Sequence, residues 1–261
     1  MTARGVSAYH PRVTTRTEIT TAVVLAAGSG SRLLPHTESC PKCLVPVGGR
    51  TLLGRTMDNL AAAGITELVI VAGYCEESLR AFAAGRTGGP RVTFVRNEVF
   101  ASTNNAYSLW LARVAVPGAF VLVDGDVLYD PRVLTTLLAT AGDAALAVER
   151  RDDLAAEEMK VLAGPDGHVA AVNKTMDPAT ATGESIGLAR FTADTAAALW
   201  TRLGEQIAGG QRNVFYELAF EQLIAAGRTF AIADVTGFPC MEIDTPEDLA
   251  AADAMAARTG L

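Results

Sequence analysis

The sequence predicts an α/β protein built on a mostly parallel sheet with helices on both faces. Three observations carry this. Apolar runs of strand length alternate with segments of helical period through the first half of the chain. Those strands read almost continuously apolar, as strands buried on both faces do. Glycine-rich or acidic turns follow two of them, at Gly28 and at Asp124, where ligands of such sheets gather.

Taken in order, Thr21 to Ala27 is a buried strand running into a glycine-rich turn, and Leu52 to Ala63 is a helix ending at Gly64. Glu67 to Ala72 and Arg91 to Val95 are strands, Asn104 to Ala112 is a helix, and Ala119 to Val123 is a strand ending in Asp124-Gly125-Asp126. After Gly142 short strands dominate, at Ala144 to Val148, Met159 to Leu162, Val169 to Val172 and Ile186 to Phe191. Pro165-Asp166-Gly167 is a turn between two of them. The expected organisation is a polar tail over residues 1–20 and one domain over 21–258. Its first half (21–141) binds a nucleotide, and its second (142–258) covers an acceptor with a smaller mixed sheet.

The 261 residues are 49% hydrophobic and 20% charged, as in folded soluble proteins. The net charge of −7 argues against nucleic-acid binding, which needs a basic footprint. No apolar run reaches membrane-spanning length, and the first twenty residues lack the apolar stretch of a secretory leader. A cytoplasmic location without membrane contact is expected, and self-association as a homodimer stays open. Four cysteines in a chain of this length do not suggest a disulfide scaffold.

Gly28-Ser29-Gly30-Ser31-Arg32 follows a strand, and its backbone N–H groups suit phosphate oxygens. The dinucleotide-binding fingerprint fits poorly. Its third glycine would fall at Leu33, and no acidic residue stands near Gly48 and Gly49. A Walker loop fails for want of Gly-Lys-Ser/Thr. The wider stretch "LAAGSGSRLLPHTESCPKCLVPVGGRTLL", Leu25 to Leu53, is more specific. It resembles the signature of the nucleotidyltransferase family that makes sugar nucleotides and CDP-alcohols, with Thr51 where proline is usual. The resemblance implies a Rossmann-like three-layer fold in which Gly28 and Gly30 wrap a triphosphate that Arg32 and Lys42 neutralise. Leu25, Ala27 and Ser31 of the same stretch join the nucleotide-binding set. Fixed cations at these positions stabilise the charge that spreads as pyrophosphate leaves.

Carboxylates at Asp124 and Asp126 are hard oxygen donors suited to Mg²⁺. In "MEIDTPEDLAAAD", Thr245, Pro246, Glu247 and Asp248 are explained by helix capping, and Asp244 is not. The resemblance implies that Asp126 and Asp244 hold magnesium, with Glu242 as a neighbour and Asp124 in the nucleotide set. The segment "NEVFASTNNAYSLWLA" contains N-x(5)-T-N-N-x-Y-S-L, which resembles the phosphocholine and phosphonate cytidylyltransferases of that family. It points to CTP, with Asn104 and Ser108 reading the base through amide and hydroxyl groups.

The stretch Glu157 to Phe191 resembles the strand–turn–strand of the subgroup acting on phosphonates and related small phosphorylated compounds. The resemblance implies Lys160 and Lys174 as the acceptor's cations. Glu184 and the pair Tyr216-Glu217 are further candidate contacts. Aromatic residues are only 6% and Ala155 to Val161 has none, a departure from the choline-type enzymes, which should cage a quaternary ammonium. The reading is a Mg²⁺-dependent cytidylyltransferase of phosphonate biosynthesis, joining CTP to a small phosphonate or phosphomonoester. Its rivals are a sugar-1-phosphate nucleotidyltransferase and, more remotely, a GT-A type glycosyltransferase. Cys40-Pro41-Lys42-Cys43 has the form of a zinc or redox motif, but a fourth zinc ligand and a following helix are both missing. The residue that matters there is Lys42, with a disulfide beside it as a weak redox idea.

Overall fold

The computed structural model describes residues 19–261, so the expected tail lies outside the described residues except for its last two. The chain runs β1 (Thr21–Ala26), a short hairpin of β2 (Pro46–Val47) and β3 (Arg50–Thr51), α1 (Leu52–Ala62), β4 (Glu67–Ala72), α2 (Glu76–Ala84) and β5 (Arg91–Arg96). It continues through α3 (Asn105–Ala112), β6 (Phe120–Asp124), β7 (Val127–Tyr129), α4 (Pro131–Ala139), β8 (Ala144–Glu149), β9 (Lys160–Ala163) and β10 (Val169–Asn173). The last elements are β11 (Gly183–Phe191), α5 (Ala193–Ala208), α6 (Glu217–Ala225), β12 (Phe230–Asp234), β13 (Cys240–Glu242) and α7 (Pro246–Thr259).

Strands β5, β4, β1 and β6 pair side by side and parallel. The strand order reverses between β1 and β6, which opens a crevice at their carboxyl ends. Alternate residues of β1 serve opposite faces. Ala22, Val24 and Ala26 pack with Met57 and Leu60 of α1 and Leu134 and Leu137 of α4. Val23 packs instead with Leu109 of α3, Leu203 of α5 and Phe220 of α6. Each large aliphatic chain so buried stabilises the fold by roughly 1.5–3 kcal/mol before entropy is charged against it.

The mixed part of the sheet is not separate. β11 pairs antiparallel with β6, β8 and β9, so the second half extends the same nine-stranded sheet. Nor is that half mainly strands, because it holds the 16-residue α5 as well as α6 and α7. Among the described residues no helix is long and apolar enough to cross a membrane.

Two local devices aim the site. β7 and β13 form an antiparallel ribbon with Val127 opposite Glu242, and the Ile243 N–H donates to the Asp126 carbonyl at 3.0 Å. Asp126 and Asp244 therefore emerge side by side. At the start of α7, the Thr245 hydroxyl accepts from the Asp248 N–H, and the Asp248 carboxylate accepts from the N–H groups of Thr245 (2.8 Å) and Asp244 (3.0 Å). This capping box fixes the backbone that carries Asp244. Thr245→Ala is expected to cost about 1 kcal/mol, read as a lower denaturant midpoint with an unchanged slope.

Candidate active site

A cavity of ≈ 390 Å³ opens at the carboxyl ends of β1 and β6. Leu25, Ala27, Gly28, Gly30, Ser31, Arg32 and Lys42 line one side, and Asn104, Ser108, Asp124, Asp126, Lys174 and Asp244 line the rest. Of the candidate contacts read from the sequence, Lys160, Glu184, Tyr216 and Glu217 do not line it.

The glycine loop is shaped by close approach. Gly30 has φ +61°, and a Cβ there would lie 3.0 Å from the Thr37 side chain and 3.2 Å from Lys42 Cβ. The Thr37 hydroxyl donates to the Gly30 carbonyl at 2.8 Å, closing the turn. Gly125 lies against β1, where a Cβ would come 2.5 Å from the Leu25 carbonyl oxygen. Any larger residue would push Asp124 and Asp126 away from the loop.

Lys42 is the hub. Its ammonium donates to Asp126 at 2.7 Å and also to Asp244, and Arg32 pairs with Asp244 at 2.6 Å. Burial acts to lower the Lys42 pKa, but the charges and hydrogen bonds of Asp126 and Asp244 raise it above its ordinary value. Burial likewise acts to raise Asp244, and Lys42 with Arg32 behind it holds that carboxyl below the usual range. Partial desolvation of Glu242, with Asp126 and Asp244 beside it, pushes its carboxyl up to about 7. Asp126, Glu242 and Asp244 each place an oxygen within 4.8 Å of the others. Three hard oxygen donors that repel one another fit a divalent cation such as Mg²⁺.

Asn104 caps α3, and its side-chain oxygen accepts from the Asn105 N–H at 2.7 Å. Ser108 is buried and accepts from Asn97 at 3.0 Å. Sequence reasoning placed Asn97 in its motif without giving it a role, and it missed Phe100, Asn105 and Phe215, which line the cavity. Elsewhere on the cavity wall, the Lys174 ammonium sits 4.8 Å from the Phe215 ring centroid. This aromatic contact lies outside Ala155 to Val161, the stretch without aromatic residues.

The four residues outside the cavity have other places. Lys160 is fully buried, and its ammonium donates to the carbonyls of Ala155 (3.3 Å), Ala156 (2.8 Å) and Glu158 (3.0 Å). It ties down the loop before β9 and faces no open space, so the expectation of an acceptor cation there does not fit its position. Glu184 pairs with Arg151 at 3.2 Å, and burial, with Glu158 nearby, pushes its carboxyl up to about 7. Tyr216 is buried and its hydroxyl donates to Asp124 at 2.7 Å. Burial, with Asp126 and Glu217 adding repulsion, raises the Asp124 carboxyl well above its usual range. Glu217 is also buried, one of its oxygens has no partner among the described residues, and burial pushes its carboxyl up to about 7. All four cysteines are free. Cys43 is buried in the core and Cys40 is half-buried.

Residues 22–214 match the model of the MobA-like NTP transferase domain. The chain belongs to that family. This member of the MobA-like NTP transferase family is 32% identical over 248 residues to CMP-5'-(3-aminopropyl)phosphonate synthase of Streptomyces rubellomurinus, covering 89% of this chain and 38% of that protein. It is 36% identical over 105 residues to choline-phosphate cytidylyltransferase of Streptococcus pneumoniae, covering 40% of this chain and 44% of that one. The family member thus spans about half or less of the length of these relatives. Its fold matches the inositol-1-phosphate CTP transferase of T. maritima with a TM-score of 0.76 at 24% identity, over 92% of this chain and 96% of that one. For this family member, Lys160→Met is expected to lower stability by about 2–3 kcal/mol, since three loop carbonyls lose a charged donor. Thermal melting of the purified protein checks it.

Proposed function

We propose that the protein is a cytidylyltransferase that joins CTP to a small phosphonate or phosphomonoester, giving a CMP conjugate and pyrophosphate. The observation that carries the reading is the convergence of the glycine loop, Lys42, Arg32 and three carboxylates on one crevice beside Asn104 and Ser108. The names of the Streptomyces and Streptococcus relatives support the cytidylyl group and the phosphorylated acceptor.

In this reading the acceptor oxyanion attacks the α-phosphorus in line, a new P–O bond forms, and the bond to pyrophosphate breaks. No proton has to be removed, because a phosphonate or phosphate monoester is already ionised near neutral pH. The chain contributes position and charge. The N–H groups around Gly28 and Gly30 face the triphosphate, and Lys42 and Arg32 neutralise the charge that builds on the transferred and leaving groups. Lys174 attracts the acceptor's anionic group. Asp126 and Asp244, with Glu242 beside them, would hold Mg²⁺, which supplies charge neutralisation at the phosphate oxygens when bound. The reading includes a cytoplasmic enzyme of phosphonate or phosphoalcohol metabolism.

Pyrophosphate release with a panel of phosphonates and phosphomonoesters tests this directly. CTP should be used at least about tenfold better than UTP, GTP or TTP, a gap of about 1.4 kcal/mol, and a chelator should stop turnover. Equal use of all four nucleotides would sink the cytidylyl reading. Lys42→Ala should lower kcat by about 10²–10³ while the melting profile stays cooperative. Near-normal turnover in that variant would remove Lys42 from the mechanism.

A further inference from the structure

Asn97 follows β5 and is 1% exposed. Its backbone N–H donates to the Ala72 carbonyl at 2.8 Å, so its position is fixed by the sheet. The orientation of its amide is fixed as well. The Val99 N–H can only donate, and it lies 3.1 Å from the Asn97 side-chain oxygen. The amide nitrogen must therefore face the other way, where it lies 3.1 Å from the Thr103 hydroxyl and 3.0 Å from the Ser108 hydroxyl. Both hydroxyls accept from it.

That donation sets the polarity of what remains. The Thr103 hydroxyl donates to the Val99 carbonyl at 3.0 Å, so its hydrogen is used inside the loop. The Ser108 hydroxyl accepts from Asn97, and among the described residues nothing takes its hydrogen. Ser108 is 5% exposed, and it lines the cavity. Its O–H is therefore free to donate into the cavity. The side-chain oxygen of Asn104 accepts from the Asn105 N–H, which turns the Asn104 amide nitrogen into a second donor on the same wall.

A wall of donors discriminates between pyrimidines. Cytosine carries two adjacent acceptors, the C2 carbonyl oxygen and N3. Uracil places an N–H at position 3, and two donors then oppose each other. A polar site that pairs one base and leaves the other's donor unpaired rejects the second strongly.

We propose that Asn97 is a positioning residue for nucleotide choice: by donating to Ser108 it makes that hydroxyl a donor toward the acceptor edge of cytosine. This rests on the cytidylyl reading and adds the origin of its base preference.

The test uses Asn97→Asp, which keeps the side-chain shape. A carboxylate still accepts from the Val99 N–H but cannot donate, so the Ser108 hydroxyl turns to donate into it. The KM for CTP should rise about tenfold with kcat held within about threefold, and the CTP/UTP ratio of kcat/KM should fall by at least about tenfold. Ser108→Ala should lower the same ratio, and the double variant should be no worse than Ser108→Ala, because Asn97 acts through that hydroxyl. If the buried carboxylate prevents folding, Asn97→Leu, which neither donates nor accepts, should give the same fall in ratio. An unchanged ratio, additive losses, or equal losses for CTP and UTP would each overturn the inference. Wild-type preference for another triphosphate would instead sink the cytidylyl reading, whereas CTP preference that survives both substitutions would sink this inference alone.

Discussion

Lys42 holds two carboxylates that would otherwise repel each other, and the arrangement of the crevice depends on that clamp. Asp126 and Asp244 lie 84 and 202 residues along the chain from Lys42. With Glu242 they place three oxygens within 4.8 Å. At such distances unneutralised charges in a partly buried site cost several kcal/mol, so a cation has to sit among them. Lys42 does this with its side chain 12% exposed, and Arg32, far more exposed, closes the outer side. The same two cations suit a triphosphate. The carboxylates they neutralise suit a divalent metal, so the site is balanced internally before any ligand enters.

The clamp is possible because secondary structure brings its parts together. The β7–β13 ribbon pairs Val127 with Glu242 and brings Asp126 beside Ile243, and the cap of α7 fixes the Asp244 backbone. The β1–β6 pairing sets the glycine loop beside Asp124, and Gly125 allows the two strands' ends to touch. The second half of the chain is bound to the first through the same sheet. The Tyr216 hydroxyl donates to Asp124, so a residue of the second half supports a carboxylate of the first.

Two lysines that read alike in the sequence differ in position. Lys160 and Lys174 both lie close to strands of the second half and both read as acceptor cations. Lys174 reaches the cavity over the Phe215 ring. Lys160 is enclosed, with three carbonyls replacing water around its charge, which is how a buried ammonium is tolerated. Cys40 and Cys43 divide in the same way, since the turn at Lys42 sends one toward the surface and the other into the core.

The sequence by itself determined the elements whose cause is local. Continuous apolar runs placed β1 and β4 within a residue of their ends, and Thr245, Pro246 and Asp248 marked the start of α7. The spacing of the glycine loop, Arg32 and Lys42 was legible because one short segment carries it. Tertiary structure decided whatever depends on pairing between distant segments. It joined the expected second lobe to one nine-stranded sheet, set Asp126 beside Asp244, enclosed Lys160, and turned the Asn97 amide toward Ser108. Period and capping are written within a few residues of each other. Which face of a strand meets water, and which donor meets which acceptor, is fixed only when another part of the chain arrives.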